Sequence, residues 1–238
     1  MKTSRRSEVD PFIVMDVMEA ARAAEAAGRH IIHMEVGQPG TAAPLGARQA
    51  AAKAMEEDAL GYTVALGLPA LRKRIAQLYG EWYNVDLNPE RVIVTSGSSS
   101  AFLLAFTALF EAGDRVAIGA PGYPSYRQIL GALGMVPVDL PTALENRYQP
   151  VPADFAGMDL RGLMVASPAN PTGTMLDHAA MSALIGACHD KGASFISDEI
   201  YHGVEYEKKA VTALEITDEC YVINSFSKYF SMTGWRLG

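Results

Sequence analysis

Apolar and alanine positions recur at helical spacing over residues 11–27, with Pro11 suited to a first turn and Gly28 supplying a stop. A short apolar run, 31–36, follows, and Gly37-Gln38-Pro39-Gly40 then breaks the chain. Two more helices are predicted: one over 47–59, the other opened by Pro69 and carrying Leu71, Ile75 and Leu78 on one face. The stretch between them, GYTVALGLP, reads as a loop. After Pro89 the pattern becomes an alternation. Strands are predicted at 91–95, 115–118, 135–139, 163–166, 193–197 and 221–225, with helices at 98–111, 124–133 and 177–190. Short apolar strands separated by helices argue for an α/β fold with a mostly parallel sheet covered on both faces. The polar, Pro-containing segment 146–155 has neither period and is expected to be exposed and irregular.

Composition narrows the partners. The chain has 238 residues, 49% apolar and 20% charged, enough to bury one large domain with a smaller segment beside it. A net charge of -7 without a basic run argues against a nucleic-acid surface. Cys188 and Cys220 are far apart and lack any metal or redox spacing, so free thiols in a reducing cytoplasm are expected. The start, MKTSRRSEVDPF, has no apolar stretch behind it, and no apolar run is long enough to cross a bilayer.

In open α/β sheets ligands collect at the carboxyl ends of the strands. Four distinctive segments fall there: TSGSSSAF, SPANPTG, SDEIY and SFSKYFSMTGWRLG. Each alone has an ordinary explanation. Gly97-Ser98-Ser99 could be a capped strand-to-helix turn rather than a phosphate cradle. Asn170-Pro171-Thr172-Gly173 has the composition of any turn, Asp198 could be a cap, and Lys228 one more surface lysine. Together they supply what pyridoxal 5′-phosphate (PLP) chemistry needs: an amine that can be neutral, a carboxylate for the pyridine nitrogen, and a phosphate cradle. His30 and His33 fall on opposite sides of an extended run and predict no metal site. Trp82 and Tyr83 are expected to pack.

SFSKYFSMTGWRLG resembles the PLP-lysine motif of class-I aminotransferases along its length, including Arg236 eight residues after Lys228, and SPANPTG and SDEIY occur in that family's order. The resemblance runs from about Val36 to Gly238. It implies a three-layer PLP-transferase large domain of fold type I over 41–238, preceded at 1–40 by an arm and part of a small domain. It also implies amino transfer between an amino acid and a 2-oxo acid, with Lys228 holding the cofactor as a Schiff base and then moving the proton. By resemblance, Asp198 meets the pyridine nitrogen and Asn170 and Tyr201 the phenolic oxygen. Tyr123 would stack on the ring, and Gly97, Ser98, Ser99, Ser225 and Arg236 would hold the phosphate. Gly37 and Asn170 would face the substrate, and Tyr62 would reach the phosphate of the other subunit of a homodimer. A carbon–sulfur β-lyase would use the same groups, and a non-catalytic PLP-binding or interaction module is the alternative of another class. The family's arginine for the substrate carboxylate has no counterpart up to Gly238, so this polypeptide alone is expected to be a poor catalyst.

Overall fold

A computed structural model describes residues 2–238. Among these residues six α-helices are present: α1 (Ile13–Ala26), α2 (Leu45–Glu57), α3 (Pro69–Tyr83), α4 (Ser98–Leu109), α5 (Pro124–Ala132) and α6 (His178–Lys191). The described residues also form five strands, covered by α4, α5 and α6: β1 (Arg115–Ala120), β2 (Val136–Pro141), β3 (Gly162–Ala166), β4 (Ser194–Asp198) and β5 (Tyr221–Ile223). Local chemistry sets several boundaries. Pro69 opens α3, and Asn84 closes it in the left-handed conformation. Asp177 caps α6 by accepting from Ala180 N–H at 2.8 Å, and Gly192 ends it at φ +63°.

All strand pairs are parallel and the order is β2-β1-β3-β4-β5. The side-chain alternation of a pleated strand divides the core in two. Val116, Ile118, Met164, Ile196 and Ile223 face one layer with Phe102 and Phe106 of α4 and Tyr126 and Leu130 of α5. Ala117, Leu163, Val165 and Phe195 face the other, with Met181, Leu184 and Cys188 of α6. A strand such as GLMVA, apolar at every position, fits only where both faces are covered. Each Phe or Leu so buried contributes roughly 1.5–3 kcal/mol.

Two expectations, for 91–95 and 146–155, need correction. Residues 92–95 join no sheet, because their backbone is taken up by other partners: Val92 O accepts from Arg72 Nε at 2.8 Å, Val94 N–H donates to Leu66 O, and Thr95 and Gly238 exchange N–H···O bonds at 2.8 and 3.0 Å. Ile93 stays exposed. The run 31–36 lies outside the sheet with Ile32 and Met34 on the surface. The segment 146–155 is not wholly exposed, since Phe155 packs under β3 and α6 and Gln149 is buried, its Nε2 donating to Ala166 O and Thr174 O. Trp82 and Tyr83 pack as expected, Trp82 edge-on to Tyr229 with ring centres 5.2 Å apart. Cys188 and Cys220 are free. Among the described residues no helix is long and apolar enough to cross a membrane.

Candidate active site

The chain passes from β1 to β2 on one side and returns to β3 on the other, so the strand order reverses at β1 and a crevice opens beyond the carboxyl ends. Asp198 is the last residue of β4. Ile196 points toward α4 and α5, and two residues on Asp198 points the same way, into a space closed by Tyr126 of α5. The Tyr126 hydroxyl donates to one carboxylate oxygen and Ile200 N–H to the other. Asp198 is buried, and this desolvation pushes its carboxyl up to about 6, against the opposing pull of the Tyr126 hydrogen bond. A buried acid raised in this way calls for a cationic partner.

Lys228 follows β5 and lies half-buried. Its Nζ donates to Gly37 O at 2.7 Å and sits 5.6 Å from the centre of the Tyr201 ring. Burial pushes its amine below the ordinary lysine range, while the charge of Asp198 pulls the other way. A depressed amine is the form that attacks a carbonyl carbon. Asn170 Nδ2 donates to the Tyr201 hydroxyl at 3.4 Å. Burial and the nearby Asp198 raise the Tyr201 hydroxyl above its usual range, so it remains a hydrogen-bond donor. Tyr123, at the start of α5, lies edge-on to Tyr126 with ring centres 5.3 Å apart.

A second cluster forms where α4 begins. Gly97 precedes the helix at φ +82° and offers no capping side chain, so the first N–H groups of α4 point outward unshared. The Arg236 guanidinium occupies the space where a side chain at Gly97 would begin. Arg236 itself has φ +53°, and its Nη1 donates to Thr233 O at 2.9 Å. The N-terminus of α4 and the Arg236 guanidinium meet at Gly97, a pairing suited to an anion. Ser225, nearby in sequence to Lys228, is buried and accepts from Ser227 N–H at 3.1 Å. A Gly97→Ala variant is expected to lose about 1–3 kcal/mol of stability, because only glycine adopts that backbone conformation freely. It should also bind PLP more weakly, because the new methyl displaces Arg236; urea unfolding and a cofactor titration read the two effects.

The donor set thus fits PLP: an acid in a crevice, a desolvated amine, and an anion cradle. The fold brings together Gly37, Asn170, Tyr201 and Lys228 by direct contact, with Asp198 electrostatically coupled to both Tyr201 and Lys228. Gly97 and Arg236 meet at the cradle with Ser98 beside them. Tyr62 is not brought to these residues, and its side chain is fully exposed. Sequence reasoning missed Tyr126, the partner of Asp198, although its place in PGYPSY beside Tyr123 was a signal. It also missed Glu199 and His202, which follow Asp198 into the interior. His30 and His33 make no metal site among the described residues; His33 instead bonds Glu25 and Glu35 at 2.8 and 2.7 Å.

Residues 29–238 match the family model described as Aminotransferase class I and II. The valine–pyruvate aminotransferase of Mycobacterium tuberculosis is 45% identical, and the match covers 100% of this chain and 62% of that protein. Among solved structures, a candidate aminotransferase from Silicibacter pomeroyi is 78% identical with a TM-score of 0.93. An aminotransferase from Mycobacterium tuberculosis is 45% identical with a TM-score of 0.96. Each covers 100% of this chain and 62% of the solved one, so the chain spans about three-fifths of the length of these relatives.

Proposed function

Given that this chain belongs to the class I and II aminotransferase family, whose mostly parallel fold type I sheet it shares, we propose that it forms the cofactor-binding part of a PLP-dependent transaminase. The reaction would move an amino group between an amino acid and a 2-oxo acid. One observation carries the reading: a buried carboxylate raised by desolvation and a lysine lowered by it lie together at the strand ends.

In this reading residues 41–238 hold the cofactor, which supplies an electron-accepting ring when bound. Lys228 would be its covalent attachment point, and Nζ would supply the base that holds and moves a proton at the substrate's Cα. Asp198 would face the ring nitrogen and keep it protonated. Asn170 Nδ2 and the Tyr201 hydroxyl would donate to the phenolic oxygen, and Tyr123 would stack on the ring. Ser98, Ser99, Ser225, Arg236 and the N-terminus of α4 would grip the phosphate. Gly37 O, already the acceptor for Lys228, borders the substrate position with Asn170.

A homodimer completes the site. Tyr62 protrudes among Leu60, Val64, Leu66 and Leu68, all exposed, and such an apolar cluster suits burial against a second copy from which Tyr62 would reach the partner's phosphate. The free thiols suit a cytoplasmic setting. Incubation of the holoprotein with an amino acid and a 2-oxo acid tests the assignment: a new amino acid supports it. Pyruvate and ammonia without a new amino acid indicate a β-lyase instead.

A further inference from the structure

Behind the candidate site lies a buried polar cluster that the proposed chemistry does not use. Glu199, directly after Asp198, has no exposed surface. Its Oε1 accepts from Ser197 Oγ at 3.1 Å, Thr212 Oγ1 at 2.9 Å and Ala213 N–H at 2.9 Å. Its Oε2 accepts from the Tyr79 hydroxyl at 3.2 Å. That hydroxyl accepts in turn from Asn224 Nδ2 at 3.1 Å, and Asn224 Oδ1 accepts from Ser225 N–H at 2.8 Å. His202 extends the cluster: Nε2 donates to Ser167 O at 2.8 Å, a carbonyl being able only to accept, and Nδ1 meets the Tyr83 hydroxyl at 2.6 Å.

Burying this many polar groups is costly, and apolar side chains of similar volume often hold a core equally well. What apolar packing lacks is direction. The cluster ties the ends of β3, β4 and β5 to α3, and every tie lies within three residues of a candidate site residue. Ser167 precedes Asn170, Glu199 adjoins Asp198, and Ser225 precedes Lys228. Directional bonds hold such turns at a fixed offset, which is what a reacting amine and its counter-charge require.

We propose that Glu199, acting through Tyr79 and Asn224, is a positioning residue that fixes the Ser225-to-Lys228 turn against Asp198. The inference rests on the reading of the site as a PLP site. Tyr79→Phe removes the bridging hydroxyl alone, and Glu199→Gln keeps size while turning an acceptor toward Tyr79 into a donor.

The test measures, in the full chain, PLP affinity and the circular dichroism that the bound cofactor acquires in its visible band, which reports how firmly the ring is oriented. Tyr79→Phe should keep a native far-ultraviolet spectrum while PLP dissociation rises about tenfold, as breaking the buried hydroxyl link between Glu199 and Asn224 implies, and the induced signal falls. Adding Glu199→Gln should change little more, because both act through one link. Folded variants with parental affinity and parental induced signal would overturn the proposal. If Glu199→Gln does not fold, Tyr79→Phe decides by itself. Should the parent take up no PLP, the reading of the site fails and this inference with it; should the parent bind and the variants match it, the inference alone fails.

Discussion

Lys228→Ala is expected to abolish the absorbance that distinguishes imine-bound PLP from the free aldehyde and to leave nothing for borohydride to fix to the protein. Other lysines are present, but Lys228 combines burial beside Asp198 with contact to Gly37 and the Tyr201 ring. Noncovalent PLP should remain weakly bound, because the cradle at Gly97 and Arg236 is untouched. Whatever rate of amino transfer the parent shows should fall on the order of 10⁴-fold, the upper range for loss of a positioned acid–base group. Retention of the absorbance would mean that another amine holds the cofactor.

Asp198→Asn should produce two opposite effects. Cofactor-dependent activity falls on the order of 10²- to 10³-fold, as loss of a preorganised charge implies. The cofactor-free protein, in contrast, becomes more stable at neutral and higher pH. The folded carboxyl is raised to about 6 from an ordinary 3.8, so the fold binds that proton more tightly than the unfolded chain does. Its contribution is therefore fully present below pH 3.8 and is lost as pH rises through about 6. A shift of this size corresponds to about 3 kcal/mol by pH 8. The amide cannot satisfy both Tyr126 and Ile200 as the carboxylate does, which offsets about 1 kcal/mol. Thermal melts should place the variant about 4–8 °C above the parent at pH 8, with the gap closing near pH 4. A gap independent of pH would contradict the assigned ionisation.

Helix and strand identities from Pro89 onward were largely legible because apolar runs such as GLMVA and the residues that open and close α6 speak locally. Residues 92–95 have the same apolar character, yet a strand exists only where neighbours donate to it, and the sequence does not reveal who those neighbours are. Asp198 and Lys228 were legible as members of motifs, each at a strand end. Their electrostatic coupling was not, because it depends on how deeply β4 and the turn after β5 are buried. Tyr126 and Tyr79 escaped notice for a related reason. Each is a tyrosine on an amphipathic helix, and nothing in its local sequence tells a packing ring from a hydroxyl aimed at a carboxylate 72 or 120 residues away. The exposed apolar side chains of α1 and α2, Ile13, Met15, Leu45 and Met55, were equally silent: helical period shows that a face is apolar, not what covers it.

In the proposed site one amine, Lys228, lowered by burial below the ordinary lysine range, carries a PLP ring whose nitrogen meets Asp198. Borohydride reduction of the PLP-loaded protein followed by peptide mapping tests it most directly. The reduced cofactor is expected on the peptide carrying Ser227-Lys228-Tyr229 and on no other. Label on a different lysine, or none on a protein that has bound PLP, would contradict it.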